Sequence, residues 1–458
     1  MRICCSSGRE SGISVRLSGC TSRNMSEIGN LGVMMLQTNS VVEEPSANEV
    51  EVQKEVTSAA LPVIDMALLT GCQDRHYAFG LATALVAHRV HVEIIGGDEI
   101  DSPELHVTAN LRFMNFRTGR SDDANIAQKL WKLIVYYAKL IWYTARSRPP
   151  ILHILWNNKF EYFDRTILML YYKVLGKRVA LTAHNVNQAR RDGKDSWLNR
   201  TTLKVQYRLC DHIFVHTQKM KSELCEDFGV PTKAVTVIRY PVNNAFPDTE
   251  LTPNAAKRRL GLDEEEKAIL FFGRIVPYKG IEYLLEAYQL LLTDKRAKYK
   301  LILAGGPKKG AEQYVQQLRS ILSESFGQEG VILKTQFVPD NEMELYFKAA
   351  DVLALPYKEI FQSGVLFLAY SFGLPVVATD VGSFREDVVE GSTGFLCKPG
   401  EPAELAKAIE TYFASNLYKN LNVRRPELKE YANLNHSWHA VAELTGNAYA
   451  KMLGRNLS

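Results

Sequence analysis

A repeating rhythm limits most strongly what this chain can fold into. From Leu61 onward, short aliphatic and β-branched runs alternate with helical stretches. "LPVIDMALL" precedes "YAFGLATALVAHR" and then "VHVEIIGG", while "ILHILW", "VALTAHN" and "HIFVHT" each lead into an amphipathic segment. Such alternation predicts parallel strands joined by crossover helices. The runs are apolar almost throughout, as strands covered on both faces require. The rhythm stops at "YPVNNAFPDTELTPNAAKRRLGLDEEEK", which holds three prolines and no strand and is predicted to be a linker. It restarts with "AILFFG", "KLILAGG", "VILKTQF", "DVLALPY" and "PVVATD". The expected fold is α/β: two doubly wound, Rossmann-like domains, residues 59–245 and 246–430, facing across a cleft. Residues 431–458 are expected to form a C-terminal helix returning toward the first domain. Ligands of such sheets bind beyond the carboxyl ends of the strands, so the site is expected in the cleft.

Residues 1–58 stand apart. "MRICCSSGRESGISVRLSGCTSRN" is rich in Ser and Arg, like an organelle-targeting peptide, yet shows no amphipathic helix. A disordered or targeting-like extension is expected there, with "VVEEPSANEVEVQKEVTS" as a polar linker behind it. A net charge of +4 is too small to imply a nucleic-acid partner. No run approaches the ~20 uncharged apolar residues of a membrane span. The seven cysteines show neither a C-x-x-C pair nor metal-ligand spacing, so free thiols in a reducing, cytoplasmic setting are expected.

Several phosphate-binding signatures are missing. The chain has no G-x-G-x-x-G after a strand, no P-loop, no H-E-x-x-H and no D-x-D. A bound diphosphate would have to be met by cationic side chains and backbone N–H groups, with no metal site. Both are on offer. In "FFGRIVPYKG", Gly273 lets the chain turn at a strand end, Arg274 emerges there and Lys279 follows just before the next helix. Two such cations could take a metal's place, each charged hydrogen bond contributing roughly 1.5–3 kcal/mol. A solvated loop with two basic residues is the plainer reading. Gln362, Ser363, Gly364 and Val365 fall where the helix after "DVLALPY" should begin. The first amides of a helix lack internal partners and the dipole is positive there. Glycine permits close approach of an anion. Ser363 could donate to a phosphate oxygen or simply cap the helix.

Taken in order, "FFGRIVPYKG", "LILAGGP", "AADVLALPY" and "GLPVVATDVGSFREDVVEGSTGFL", with "LTAHN" in the first unit, resemble the retaining family 4 glycosyltransferases of GT-B architecture, over roughly residues 60 to 450. The resemblance implies metal-independent transfer of a sugar from a nucleotide sugar to an acceptor, in glycan or glycolipid biosynthesis, without a cofactor. It implies that Arg274 and Lys279 neutralise the departing diphosphate. Gly305, Gly306, Phe337 and Val338 would surround the nucleoside, and Gln362 to Val365 would hold phosphate and sugar oxygens. The family usually carries two glutamates with seven residues between them. The second falls on Leu368, and the first on Ile360 with Glu359 one place away. Glu359 is therefore expected near the donor sugar, and "QSGV" resembles a loop variant within the family.

In the first unit His184 closes "VALTAHN", a strand end that would aim it at the donor sugar or the reacting centre, though a lone His is often structural. Gly71, at the first strand-to-helix turn, would let backbone approach the donor diphosphate. Asp74 and Arg75 beside it could meet the acceptor or cap the helix. The expected catalytic set is thus His184, Glu359, Arg274 and Lys279.

"ANIAQKLWKLIVYYAKLIWYTARSRPP" has helical period. Lys129, Lys132, Tyr136, Lys139, Tyr143 and Arg146 fall on one stripe, and Leu130, Ile134, Tyr137 and Ile141 on the other. Basic residues among aromatics suit an anionic membrane interface, so peripheral contact around residues 125–146 is expected, with a solvated basic face as the alternative. A second basic run, "QARRDGKDSWLNRTTLKVQYRLC", favours a lipid-linked or anionic acceptor. Two rival functions stay open: a sugar-nucleotide epimerase using Glu359 and His184, and a non-catalytic binding or partner protein, which Leu368 supports and Arg274 and Lys279 oppose.

Overall fold

The computed structural model describes residues 64–119, 125–242, 247–294, 296, 298–308, 310–326 and 331–455; the extension 1–58 lies outside them. The first half builds a parallel sheet from β1 (Ile64–Leu69), β2 (Val90–Gly97), β3 (Leu111–Arg117), β4 (Ile151–Ile154), β5 (Arg178–Thr182), β6 (His212–Val215) and β7 (Val235–Val237). The second builds another from β8 (Lys267–Phe272), β9 (Tyr299–Ala304), β10 (Val331–Lys334), β11 (Val352–Leu355), β12 (Val376–Thr379) and β13 (Gly394–Cys397). The orders are β3-β2-β1-β4-β5-β6-β7 and β10-β9-β8-β11-β12-β13, so both sheets are wound the same way. Each has its switch point between its first and fourth strands, where a crevice opens at the carboxyl edge. β4, β6, β11 and β12 are buried along their whole length, which explains sequences that are apolar apart from His153, His212 and Thr379.

The helix Trp438–Met452 follows the second domain in sequence but packs with the first. Val441, Ala442 and Tyr449 share a core with Ile64, Met66 and Leu68 of β1. The Tyr449 hydroxyl meets Nδ1 of His153, at the heart of β4, at 2.5 Å. The chain crosses between the lobes twice, side by side: Val242 donates to the His436 carbonyl at 2.9 Å, and His436 Nδ1 donates to the Tyr240 carbonyl at 3.0 Å.

The helix Ile126–Arg146 corrects the stripe assignment. Tyr136, Tyr137, Leu140, Tyr143 and Thr144 form its buried face. Tyr136 and Tyr143 therefore do not stand outward among the lysines, and Tyr137 does not share an exposed side with Leu130, Ile134 and Ile141. The cause is hydroxyl satisfaction in the core: Tyr143 donates to Glu93, and Tyr137 donates to Asp164 at 2.8 Å. Asn125 and Gln128 close a reciprocal capping box at the helix start.

Candidate functional site

The turns at the two switch points carry the residues singled out from sequence. After β8, Gly273 (φ 111°) and Arg274 lead into a short turn, Pro277–Lys279. Gly273 donates to the Ala304 carbonyl at 2.9 Å, and its own carbonyl would lie 2.0 Å from a Cβ on Gly305, so only glycine fits beside it. Gly306 in turn sits against the backbone of Phe337, 3.1 Å from its nitrogen to a would-be Cβ, while the Phe337 side chain is exposed. Gly273, Gly305, Gly306 and Phe337 thus line one continuous edge. Val338 sits differently, in the core behind it.

Lys279 is the exceptional group on that edge. Its side chain is 6% exposed, and its ammonium would stand 2.8 Å from a Cβ on Gly273. It lies over the Phe271 and Tyr357 rings at 5.6 and 5.2 Å. Burial, with the like charge of Arg274 adding to it, lowers its pKa to about 8. No carboxylate among the described residues offsets this charge. Arg274 itself is exposed at the cleft.

The helix Gly364–Ser371 begins beside the same spot, with Val365 3.4 Å from a Cβ on Gly273. Ser363 occupies the cap position but makes no side-chain capping bond, so plain capping does not account for it. The amide of Gln362 donates to Asp387 at 2.9 Å, and its buried carbonyl oxygen has no partner among the described residues. Burial raises the Asp387 carboxyl to about 6. Neither Asp387 nor Tyr240 was singled out from sequence. The Tyr240 hydroxyl stands 3.2 Å from a Cβ on Gly364, and its ring stacks on Phe367 at 5.3 Å and meets His216 at 5.0 Å.

The facing edge belongs to the first sheet. Gly71 follows β1, and a Cβ there would come within 2.6 Å of the Trp156 carbonyl beyond β4. The Trp156 ring lies flat on His184, 4.3 Å between centroids at 3°. His184 Nδ1 is 3.0 Å from His216 Nε2, and His216 Nδ1 is 3.1 Å from the Ile238 carbonyl. Asp74 caps the next helix by accepting from the Tyr77 amide at 3.0 Å; burial raises its pKa, opposed first by that hydrogen bond and least by the charge of Arg274. Arg75 turns instead to the other lobe, where Asp340 takes it at 3.3 Å and His76 at 3.0 Å. Arg191 lies 4.6 Å over the Tyr278 ring, and the Gln218 backbone N–H donates to the Glu386 carboxylate at 3.2 Å. These contacts hold the lobes together across the cleft.

Glu359 is exposed and makes no hydrogen bond or ion pair among the described residues. It lines a groove of about 590 Å³ between the lobes, with Lys219 and Glu223 opposite. Ile360, in the position of the first family glutamate, is buried, as is Leu368 in that of the second. The structure does not bring Glu359 into contact with the cluster of Gly273, Lys279 and Val365. Its carboxylate looks into the groove instead.

The matches to known proteins follow this geometry. The family model described as "Glycosyltransferase Family 4" matches residues 75–246, and "Glycosyl transferases group 1" matches 254–432. The D-inositol 3-phosphate glycosyltransferase of Corynebacterium diphtheriae is 30% identical over 245 residues, 50% of this chain and 55% of that protein. The chain spans about half the length of several curated relatives it matches. Among solved structures, sucrose-phosphate synthase of Thermosynechococcus elongatus superposes with a TM-score of 0.68 at 19% identity, covering 85% of this chain and 99% of the other. Anabaena HepE in complex with UDP-glucose gives 0.65 at 17%, over 85% and 99%. With one family model on each lobe and two like-wound parallel sheets meeting at a cleft, the chain belongs to the family 4 glycosyltransferases of the two-domain GT-B type.

Proposed function

We propose that this protein moves a sugar from a nucleotide sugar to an acceptor, without a metal and with retention, in the synthesis of a glycan or glycolipid. One observation carries the reading: a buried ammonium, Lys279, with no carboxylate among the described residues to offset it, beside Gly273 and the start of the Gly364–Ser371 helix. A buried unpaired cation is costly unless an anion arrives. A nucleoside diphosphate fits, with Lys279, Arg274 and the free amides at Gly364 taking its charge as it departs. The base would lie along Gly305, Gly306 and Phe337, with Val338 packed behind. Gln362, anchored by Asp387, would offer its free carbonyl oxygen to a sugar hydroxyl. Gly71 would let backbone approach the diphosphate from the other lobe, and His184 would accept from the sugar. Glu359, on the groove wall, is the carboxylate available as positive charge develops on the sugar.

The acceptor is read as lipid-linked or otherwise anionic, with peripheral membrane contact through the helix Ile126–Arg146. HepE holds UDP-glucose, so uridine diphosphate sugars head the donors to be tried. The test is thermal stabilisation of the full chain by a panel of nucleotide sugars and nucleoside diphosphates, followed by nucleotide release with acceptor present. Stabilisation by one diphosphate series with release is expected. A panel that leaves the melting temperature unmoved sinks the reading.

A further inference from the structure

The helix Ile126–Arg146 carries two apolar faces, and only one of them is core. Leu130, Trp131, Ile134, Ile141 and Trp142 are exposed, the two tryptophans at 66% and 61%. At 100° per residue they fall with Ala127, Ala138 and Ala145 on one arc, opposite buried Leu140 and Tyr143. The segment Glu161–Val174 runs alongside, with a π-helical turn at Asp164–Leu168. The Tyr171 hydroxyl donates to the Ile141 carbonyl at 2.8 Å, and Tyr137 stacks on Phe160 at 5.7 Å. This second helix exposes Ile167, Leu170 and Val174, the last at 85%. Two adjoining helices therefore show solvent a shared apolar surface, which a monomeric soluble lobe rarely does without use for it.

We propose that this two-helix face inserts into the surface of an anionic lipid bilayer. Charge selects that occupant. Helix Ile126–Arg146 contains no acidic residue, and Lys139 and Arg146 are exposed along it. The Arg146 guanidinium lies 4.8 Å over the exposed Trp142 ring, a pairing suited to the headgroup layer. The exposed acid of the second helix, Glu161, is taken by Arg165. A second copy docking by twofold symmetry would set the basic rim against its own image. No helix among the described residues is long and apolar enough to cross a membrane, so the face would lie in the interface plane. The proposal rests on the transferase reading only for its purpose, which is to bring a lipid-linked acceptor to the cleft.

The test is flotation of the full chain with phosphatidylcholine vesicles, with and without phosphatidylglycerol. The wild type should float with the anionic vesicles. Trp131→Ser with Trp142→Ser should cut the bound fraction about tenfold or more, through lost apolar insertion. Lys139→Glu with Arg146→Glu should abolish the preference for anionic lipid. All four side chains are exposed, so melting temperatures should hold. Wild type that stays in the aqueous fractions, or a double tryptophan variant that floats as well as wild type, overturns the proposal. So does light scattering that shows a wild-type dimer made monomeric by the tryptophan changes without any flotation. Donor-induced thermal stabilisation, measured on the same proteins without vesicles, reports separately on the transferase reading.

Discussion

His184 and His216 share one proton-ordered hydrogen bond, and its direction is fixed from outside the pair. His216 Nδ1 faces the Ile238 carbonyl, which can only accept. In a neutral ring, Nε2 of His216 must then accept, and His184 Nδ1 donates to it at 3.0 Å. Burial keeps both rings neutral, lowering His216 to about 4 and His184 well below the usual range. The remaining nitrogen of His184, Nε2, is a lone pair shielded from solvent and without a partner among the described residues. An acceptor so placed suits a sugar hydroxyl.

His216→Phe removes the group that orders His184. Turnover is expected to fall by about tenfold or more, because the tautomer is no longer held. Affinity for the free nucleoside diphosphate should hold, since apart from the backbone at Gly71 its proposed contacts lie on the other lobe. Calorimetry with diphosphate beside steady-state rates separates the two. Equal losses in both would show that His216 acts only through stability.

Lys279→Met should abolish donor-induced stabilisation and lower turnover more than about tenfold, while the empty protein melts no lower than wild type. The pH dependence gives a second reading. Burial sets the folded pKa at about 8 against an ordinary 10.5, so the unfolded chain binds the extra proton between those values. This group therefore makes the empty wild type gain stability as pH rises through that window, and the Met variant lacks that gain. Donor affinity should move oppositely, weakening above the folded pKa as the cation is lost. Denaturation and titration on either side of the window check both signs.

Asp387 is expected to position Gln362. Its folded pKa of about 6 exceeds the ordinary 3.8 because it is buried. The folded state therefore binds the extra proton between those values, and this group costs stability as pH rises through them. Asp387→Asn keeps an acceptor for the Gln362 amide, so turnover should change only modestly and the melting temperature at neutral pH should rise. Asp387→Ala frees Gln362 and should raise the donor KM about tenfold. If the Ala and Asn variants share one KM, Gln362 does not depend on the pair.

Much of this was legible because the informative residues sit at strand ends. Gly273, Lys279, Gly71 and His184 follow apolar runs, and the winding alone carries them to the cleft. His216 closes "HIFVHT", the strand next to "VALTAHN", so two histidines at neighbouring strand ends were a readable signal. Asp387 was not readable: it meets Gln362 from 25 residues away through a turn beyond β12. Tyr240 lies in a stretch that offers no period, and only the crossing of the lobes places it over Gly364. The stripes of Ile126–Arg146 misled because tyrosine suits either face. Partners for its hydroxyls, Glu93 on β2 and Asp164 on the next helix, are contacts that periodicity does not show.

Glu359 and Leu368 separate an active transferase from a binding protein on the same fold. Leu368 is buried in the core of the second lobe, so Leu368→Glu would set a carboxylate there at a cost of several kcal/mol and should lower the melting temperature sharply without improving donor affinity. Glu359 stands free on the groove wall, and Glu359→Gln should leave the fold and donor affinity nearly unchanged. Its turnover should drop sharply, because a carboxylate near the sugar ring matters most as positive charge develops there. Nucleotide release measures turnover and calorimetry measures donor binding. An inert Glu359→Gln would make Glu359 a solvated wall residue. Tight donor binding by the wild type, with no turnover on any acceptor tried, would put the binding protein ahead of the transferase.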